Sequence, residues 1–191
     1  QAFMRTNNWS TQAATATYLA NEIREMTRKL PRHDPVTGLY LTGTPPGATL
    51  NGWGPEPGEM TARDFDDIDD FDGMVFANDG TAGVSDQDLP GPIDAFGSVI
   101  PEIIASGEVM TDGQGNVQPM QGWTQIVRVQ KIDPFDMAQV RADDYTVAPV
   151  PPDFLGLRVD QFPLRVSVTV RYQGPFDATA SDIVTVSWVV P

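Results

Sequence analysis

Residues 64–73 read Asp-Phe-Asp-Asp-Ile-Asp-Asp-Phe-Asp-Gly. Six carboxylates, Asp64, Asp66, Asp67, Asp69, Asp70 and Asp72, fall within nine residues, interrupted only by Phe65, Ile68 and Phe71. Apolar residues at every third position can pin part of the segment to a core while the aspartates point outward. Like charges at this density repel one another unless the chain is splayed or a cation sits among them. Two readings follow: a solvated, turn-rich acidic loop, or a site for a hard, oxygen-ligated cation, calcium first among them. The spacing is not that of an EF-hand. Anchoring on Gly73 puts Asp72 at loop position 5 and Asp70 at position 3, but Ile68 at 1 and Asp79 at 12, where a bidentate Glu is required. An ion site here is irregular, drawn from Asp69, Asp70 and Asp72, with Asp79 or a backbone carbonyl completing the set.

Other chemistry is sparse. The single histidine, His33, lies between Arg32 and Asp34 and reads as a solvated surface residue. No Gly-x-Ser-x-Gly elbow and no Gly-x-x-x-x-Gly-Lys phosphate loop is present. The absence of cysteine excludes thiol catalysis, cysteine-ligated zinc and disulfides, and fits an exported protein. With 26 acids against 12 bases the net charge is −14, which opposes binding to nucleic acid or to an anionic membrane surface. Of the four tryptophans, Trp123 and Trp188 lie in strand-like segments, while Trp53, in a Gly/Pro loop, is the credible exposed platform for stacking on a sugar.

The elements that would carry these groups divide the 191 residues in two. Residues 12–30 form the clearest helix: Ala13, Ala14, Ala16 and Ala20 give propensity, and Leu19, Ile23, Met26 and Leu30 share one face. Ser10 or Thr11 can cap its start and Pro31 stops it, although the pattern allows a start at Ala2. In that case Phe3, Met4 and Trp9 extend an apolar stripe beyond the domain, which partner helices would cover. Residues 31–94 are punctuated by Gly and Pro into turns, with short strands expected at 39–41 and 74–76. Residues 112–115 signal a turn. Residues 123–132 read as a strand, and residues 164–172 alternate without a break, Leu164, Val166, Val168, Val170 and Tyr172 on one face and Arg165, Ser167, Thr169 and Arg171 on the other. Residues 183–190 close as a partner strand. The expected fold is α+β: a long N-terminal helix packed on an antiparallel β-sheet, a loop-rich roll. Helix 1–31 is read as one part, and 32–191 as a globular β-rich domain carrying the acidic loop 64–73.

That order of parts resembles the type IV pilin-like proteins, the minor pilins and pseudopilins of type IV pili and type II secretion systems. The likeness is carried by Leu-Ala-Asn-Glu-Ile-Arg-Glu-Met at 19–26 and Phe-Asp-Asp-Ile-Asp-Asp-Phe-Asp-Gly at 65–73. It continues in Gly-Trp-Thr-Gln-Ile-Val-Arg-Val at 122–129 with Asp133-Pro134, and in Arg-Val-Ser-Val-Thr-Val-Arg-Tyr-Gln-Gly-Pro at 165–175. Together these are similar to the minor pilins of mannose-sensitive haemagglutinin pili. The family's peptidase site and strongly apolar first helix half are not in the sequence, and residues 78–120 match nothing in it; the start at Gln1 is expected to follow a missing membrane segment. The resemblance implies a non-enzymatic structural subunit, anchored in the inner membrane in its full-length form. It would assemble through its helix with other pilin or pseudopilin subunits into an extracellular or periplasmic filament. Some relatives bind calcium beside the sheet, which the resemblance carries to Asp69, Asp70 and Asp72. The alternatives are a calcium-dependent adhesive or carbohydrate-binding β module and, more remotely, a metal-dependent hydrolase using the aspartates.

Overall fold

The computed structural model describes the backbone of residues 2–43, 47–78 and 88–191, and their side chains apart from those of residues 2–9 and 88. One α-helix is found among them, α1 (Ala2–Thr27). Seven strands follow: β1 (Tyr40–Thr42), β2 (Thr49–Asn51), β3 (Val75–Ala77), β4 (Asp88–Pro90), β5 (Trp123–Lys131), β6 (Leu164–Tyr172) and β7 (Ser181–Val190).

The α+β roll expected from the sequence is not what forms. The chain is mostly β, and its main sheet is mixed rather than antiparallel, in the order β4-β3-β5-β6-β7, with β1 and β2 forming a second, two-stranded sheet. A long N-terminal helix laid on an antiparallel sheet does not describe this arrangement. The reason lies in the segment read as turns. It supplies β2, β3 and β4 as three-residue strands, too short to show a period, and β4 runs parallel to β3 with Phe76 opposite Leu89 while β5 runs antiparallel to it.

The chain divides into two compact units: residues 1–28, 73–127 and 167–186, and residues 29–72, 128–166 and 187–191. In the first, α1 buries Ala16, Leu19, Ala20 and Ile23, a face with helical spacing. The expected stripe is thus recentred: Met26 and Leu30 are half-buried, and the small alanines take their place. Gln125 of β5 is fully buried and uses its whole amide: Nε2 donates to the carbonyls of Leu19 (2.8 Å) and Ile93 (3.0 Å), and Oε1 accepts from the Ile93 amide (2.8 Å). A buried side-chain amide is tolerated because each polar atom is paired.

In the second unit Leu164 and Val166 of β6 are fully buried, as are Ile132 and Phe162. The alternation read at 164–172 is realised residue for residue, with Leu164, Val166, Val168 and Val170 at 0% exposure. The acidic segment belongs to this unit. Its apolar thirds, Phe65, Ile68 and Phe71, are all buried, and Phe65 meets Phe71 edge-on at 5.0 Å between ring centroids. This anchoring fixes where the intervening aspartates can point. No helix among the described residues is long and apolar enough to cross a membrane.

Candidate metal centre

The aspartates do not simply point outward. Asp69–Phe71 forms a single 3-10 turn, and Asp67, Asp69 and Asp70 are fully buried. Two of them fold the turn back on itself. Asp67 Oδ1 accepts from the amides of Asp69 (2.8 Å) and Asp70 (3.2 Å), while Asp70 Oδ2 accepts from the amides of Asp66 and Asp67 (both 3.1 Å). The exchange is reciprocal, like that of a capping box: each carboxylate satisfies amides that the short turn leaves without partners. Each spends one oxygen on this and keeps the other.

Those remaining oxygens, Asp67 Oδ2 and Asp70 Oδ1, are buried and have no hydrogen-bond partner, and Glu56 Oε2 joins them. One carboxylate oxygen from each of Glu56, Asp67 and Asp70 lies within 4.8 Å of the other two. A second group, Glu59, Asp66 and Asp70, meets the same criterion on the more open side, where Asp66 is exposed. These clusters could hold a metal ion. Placing such charges together in a low-dielectric surrounding is costly without a compensating cation or proton. Accordingly, burial first, and the charges of Asp69 and Asp70 second, push the Asp67 carboxyl up to about 9. Burial raises Asp70 to about 7 against the downward pull of the amides it accepts from, and burial together with the Asp70 charge raises Glu56 to about 7.

Of the residues singled out from the sequence, only Asp70 belongs to the triad. Asp69 is turned to other partners: its Oδ1 accepts from the Gly54 amide (2.8 Å) and its Oδ2 pairs with His33 Nδ1. Asp72 Oδ1 accepts from the Val129 amide of β5 (2.8 Å). Asp79 lies outside the described residues. Phe3, Met4 and Trp9 sit on the backbone of α1, but their side chains also lie outside the described residues.

Sequence reasoning singled out neither Glu56 nor Asp67, and it misplaced His33. The histidine is 9% exposed, is joined to Asp69, and its Nε2 is buried without a partner. Asp67 was in plain view within the acidic run, and the signal for it was local, a carboxylate two and three residues ahead of unpaired turn amides. Glu56 carried no local signal. Close by, Lys131 is fully buried with its Nζ donating to the Asp143 carbonyl, 6.0 Å from the Trp53 ring centroid and 5.4 Å from that of Phe162. Burial pulls its ammonium down to about 8, against the pull of Asp143 and Asp144.

No family model matches this chain, and no curated protein and no solved structure matches it either.

The raised acids set the sign of a pH dependence. Folded, Glu56 and Asp70 hold their protons to about 7, far above their ordinary values of 4.5 and 3.8, and Asp67 holds its to about 9. The metal-free fold therefore binds more protons than the unfolded chain across roughly pH 5–8 and loses stability as pH rises through that window. Above about pH 8 the lowered Lys131 works in the opposite direction, because there the unfolded chain holds the extra proton. Metal-free protein is expected to melt at a lower temperature at pH 8 than at pH 5 in differential scanning calorimetry. Asp67→Asn, which replaces a carboxyl that must hold a proton to stay buried by an amide neutral at every pH, should flatten that slope and raise the melting temperature at pH 8. A melting temperature that holds steady or climbs between pH 5 and pH 8 in the wild-type chain would contradict this account.

Proposed function

We propose that this chain is a non-catalytic, β-rich structural or adhesive module ordered by a divalent cation, calcium, at Glu56, Asp67 and Asp70. The observation that carries the reading is the set of three buried carboxylate oxygens without partners, one from each of those residues. Calcium fits better than magnesium because the ligands come from two loops in no regular order. Calcium accepts six to eight oxygens in irregular geometry, whereas magnesium demands a near-octahedral shell and retains its waters. Asp67 and Asp70 at 0% exposure weigh against the hydrolase reading, since a substrate has no approach to them. The net charge of −14 suits a protein that meets cations and not one that meets nucleic acid.

A second reading makes the chain a pilin-like filament subunit, extracellular or periplasmic, assembling with other pilin or pseudopilin subunits through α1. It is favoured by the helical backbone from Ala2 to Thr27, which puts Phe3, Met4 and Trp9 on the same helix as the alanine-rich stretch. In that reading the cation site orders the β region of each subunit and α1 supplies the assembly surface.

Thermal melts in chelator, in calcium and in magnesium test the first reading. Calcium at about a hundred times its dissociation constant should add about 2.7 kcal/mol, on the order of 5–10 °C for a chain of this size. Asp70→Asn should abolish the response. No shift would remove the cation site from the account, and an equal shift with magnesium would remove calcium. Sedimentation velocity at rising concentration tests the second reading: self-association is expected, and should be lost in Trp9→Glu with unchanged circular dichroism. A wild-type chain that stays monomeric throughout would count against it.

A further inference from the structure

Glu56 differs from the other two carboxylates in how it reaches the site. Asp67 and Asp70 are held by the turn that they close, with two amides on one oxygen of each. Glu56 comes from a separate stretch, loop 52–60, whose sequence Gly-Trp-Gly-Pro-Glu-Pro-Gly-Glu-Met is dense in Gly and Pro. The start of that loop is fixed. Gly52 has φ +76°, and a Cβ there would lie 2.3 Å from the Gly38 carbonyl oxygen, so the backbone approaches too closely for any side chain. Two residues later the Gly54 amide donates to Asp69 Oδ1 (2.8 Å). Beyond this point Pro55, Pro57, Gly58 and Met60 are exposed, and the Glu56 amide bonds within the loop itself, to Glu59 Oε2 (2.9 Å).

The side chain of Glu56 nevertheless turns inward and ends in a buried, unpartnered oxygen facing two other carboxylates. Three acids facing one another across two chain segments push those segments apart, and a divalent ion among them reverses the sign of that force. The same loop carries Trp53. Its ring lies 6.0 Å from the His33 ring between centroids, and 6.0 Å from the Lys131 ammonium, which is otherwise fully buried. Trp53 lies between Gly52 and Gly54, the two anchored points of the loop, so the indole is held over Lys131 independently of Glu56.

We propose that the ion bound by Glu56, Asp67 and Asp70 is a clasp: it fastens the part of loop 52–60 beyond Gly54 to turn 66–71, and its loss frees that part while Gly52, Trp53 and Gly54 stay anchored. The ligand class is a divalent hard cation. The clasp rests on the cation-site reading above and adds a local, reversible opening to it. Cation level then controls whether residues 55–60 are ordered against the turn or free in solvent, an order–disorder switch confined to one loop.

Hydrogen exchange by mass spectrometry on the metal-free and calcium-saturated chain tests this, with calcium binding measured on the same samples by isothermal titration calorimetry. Calcium should slow exchange in peptides covering 52–60 by about tenfold or more, and leave peptides from 164–172 unchanged. Glu56→Gln should weaken binding and remove the local protection. Calcium binding with no change at 52–60, slowing spread evenly over the chain, or full protection in Glu56→Gln would each overturn the clasp while leaving the site. An absence of binding would overturn both. The comparison of metal-free and loaded wild-type protein needs no variant to fold.

Discussion

Burying a carboxylate is costly unless its oxygens are paired or it holds a proton, and the region around residues 66–71 is organised by how far the chain meets that condition. Asp67 and Asp70 each close the turn with one oxygen, which gives a short Asp-rich segment a defined shape that like-charge repulsion would otherwise deny it. The aromatic contact between Phe65 and Phe71 and the full burial of Ile68 hold that turn in the core. The second oxygens are left buried without a partner, as is Oε2 of Glu56, and one carboxylate oxygen from each of the three residues lies within 4.8 Å of the other two. The arrangement of Asp67 and Asp70 is thus a consequence of the turn's own hydrogen bonding. The buried basic group nearby, Lys131, gives its hydrogen bond to the Asp143 carbonyl.

Around that cluster the chain uses two devices to keep polar groups in its interior. One is complete pairing, shown by Gln125, whose amide joins β5 to the Leu19 carbonyl and to both backbone groups of Ile93. The other is partial pairing, shown by His33, Glu56, Asp67 and Asp70, each of which keeps a buried atom without a partner. The first device specifies a structure and the second leaves capacity for a ligand. That contrast separates the paired interior of β5 from the acidic cluster.

The sequence disclosed the long elements and, among the short strands, β1 and β3 to within one residue. Strand β6 was legible at every position because its alternation decides which side is buried, and a slip of one residue would put Leu164, Val166, Val168 and Val170 in water. The helix was legible from alanine content, although its buried face follows the small residues and not Met26 and Leu30. Strands of three residues carry no period, so β2 and β4 were invisible, as was the parallel pairing that makes the main sheet mixed. At the site, the every-third apolar spacing correctly placed Phe65, Ile68 and Phe71 inside. It placed Asp64 and Asp66 correctly outside but not Asp67, Asp69 and Asp70, because outward pointing was assumed where Asp67 and Asp70 bond back to their own turn. Of Asp69, Asp70 and Asp72, Asp70 alone lies in the cluster with Glu56 and Asp67, while one oxygen of Asp69 accepts from the Gly54 amide and one of Asp72 from the Val129 amide. Glu56 was out of reach, since nothing local to residue 56 tells of a carboxylate fourteen positions on.

The central claim is that a cation belongs among these three oxygens, and anomalous diffraction places it most directly. Crystals grown in calcium should show a single strong anomalous peak about 2.3–2.6 Å from a carboxylate oxygen of each of Glu56, Asp67 and Asp70. A peak elsewhere in the acidic segment, or density at that position with neither anomalous signal nor calcium-length bonds, would show that the cluster is held by protons or water and that the cation account is wrong.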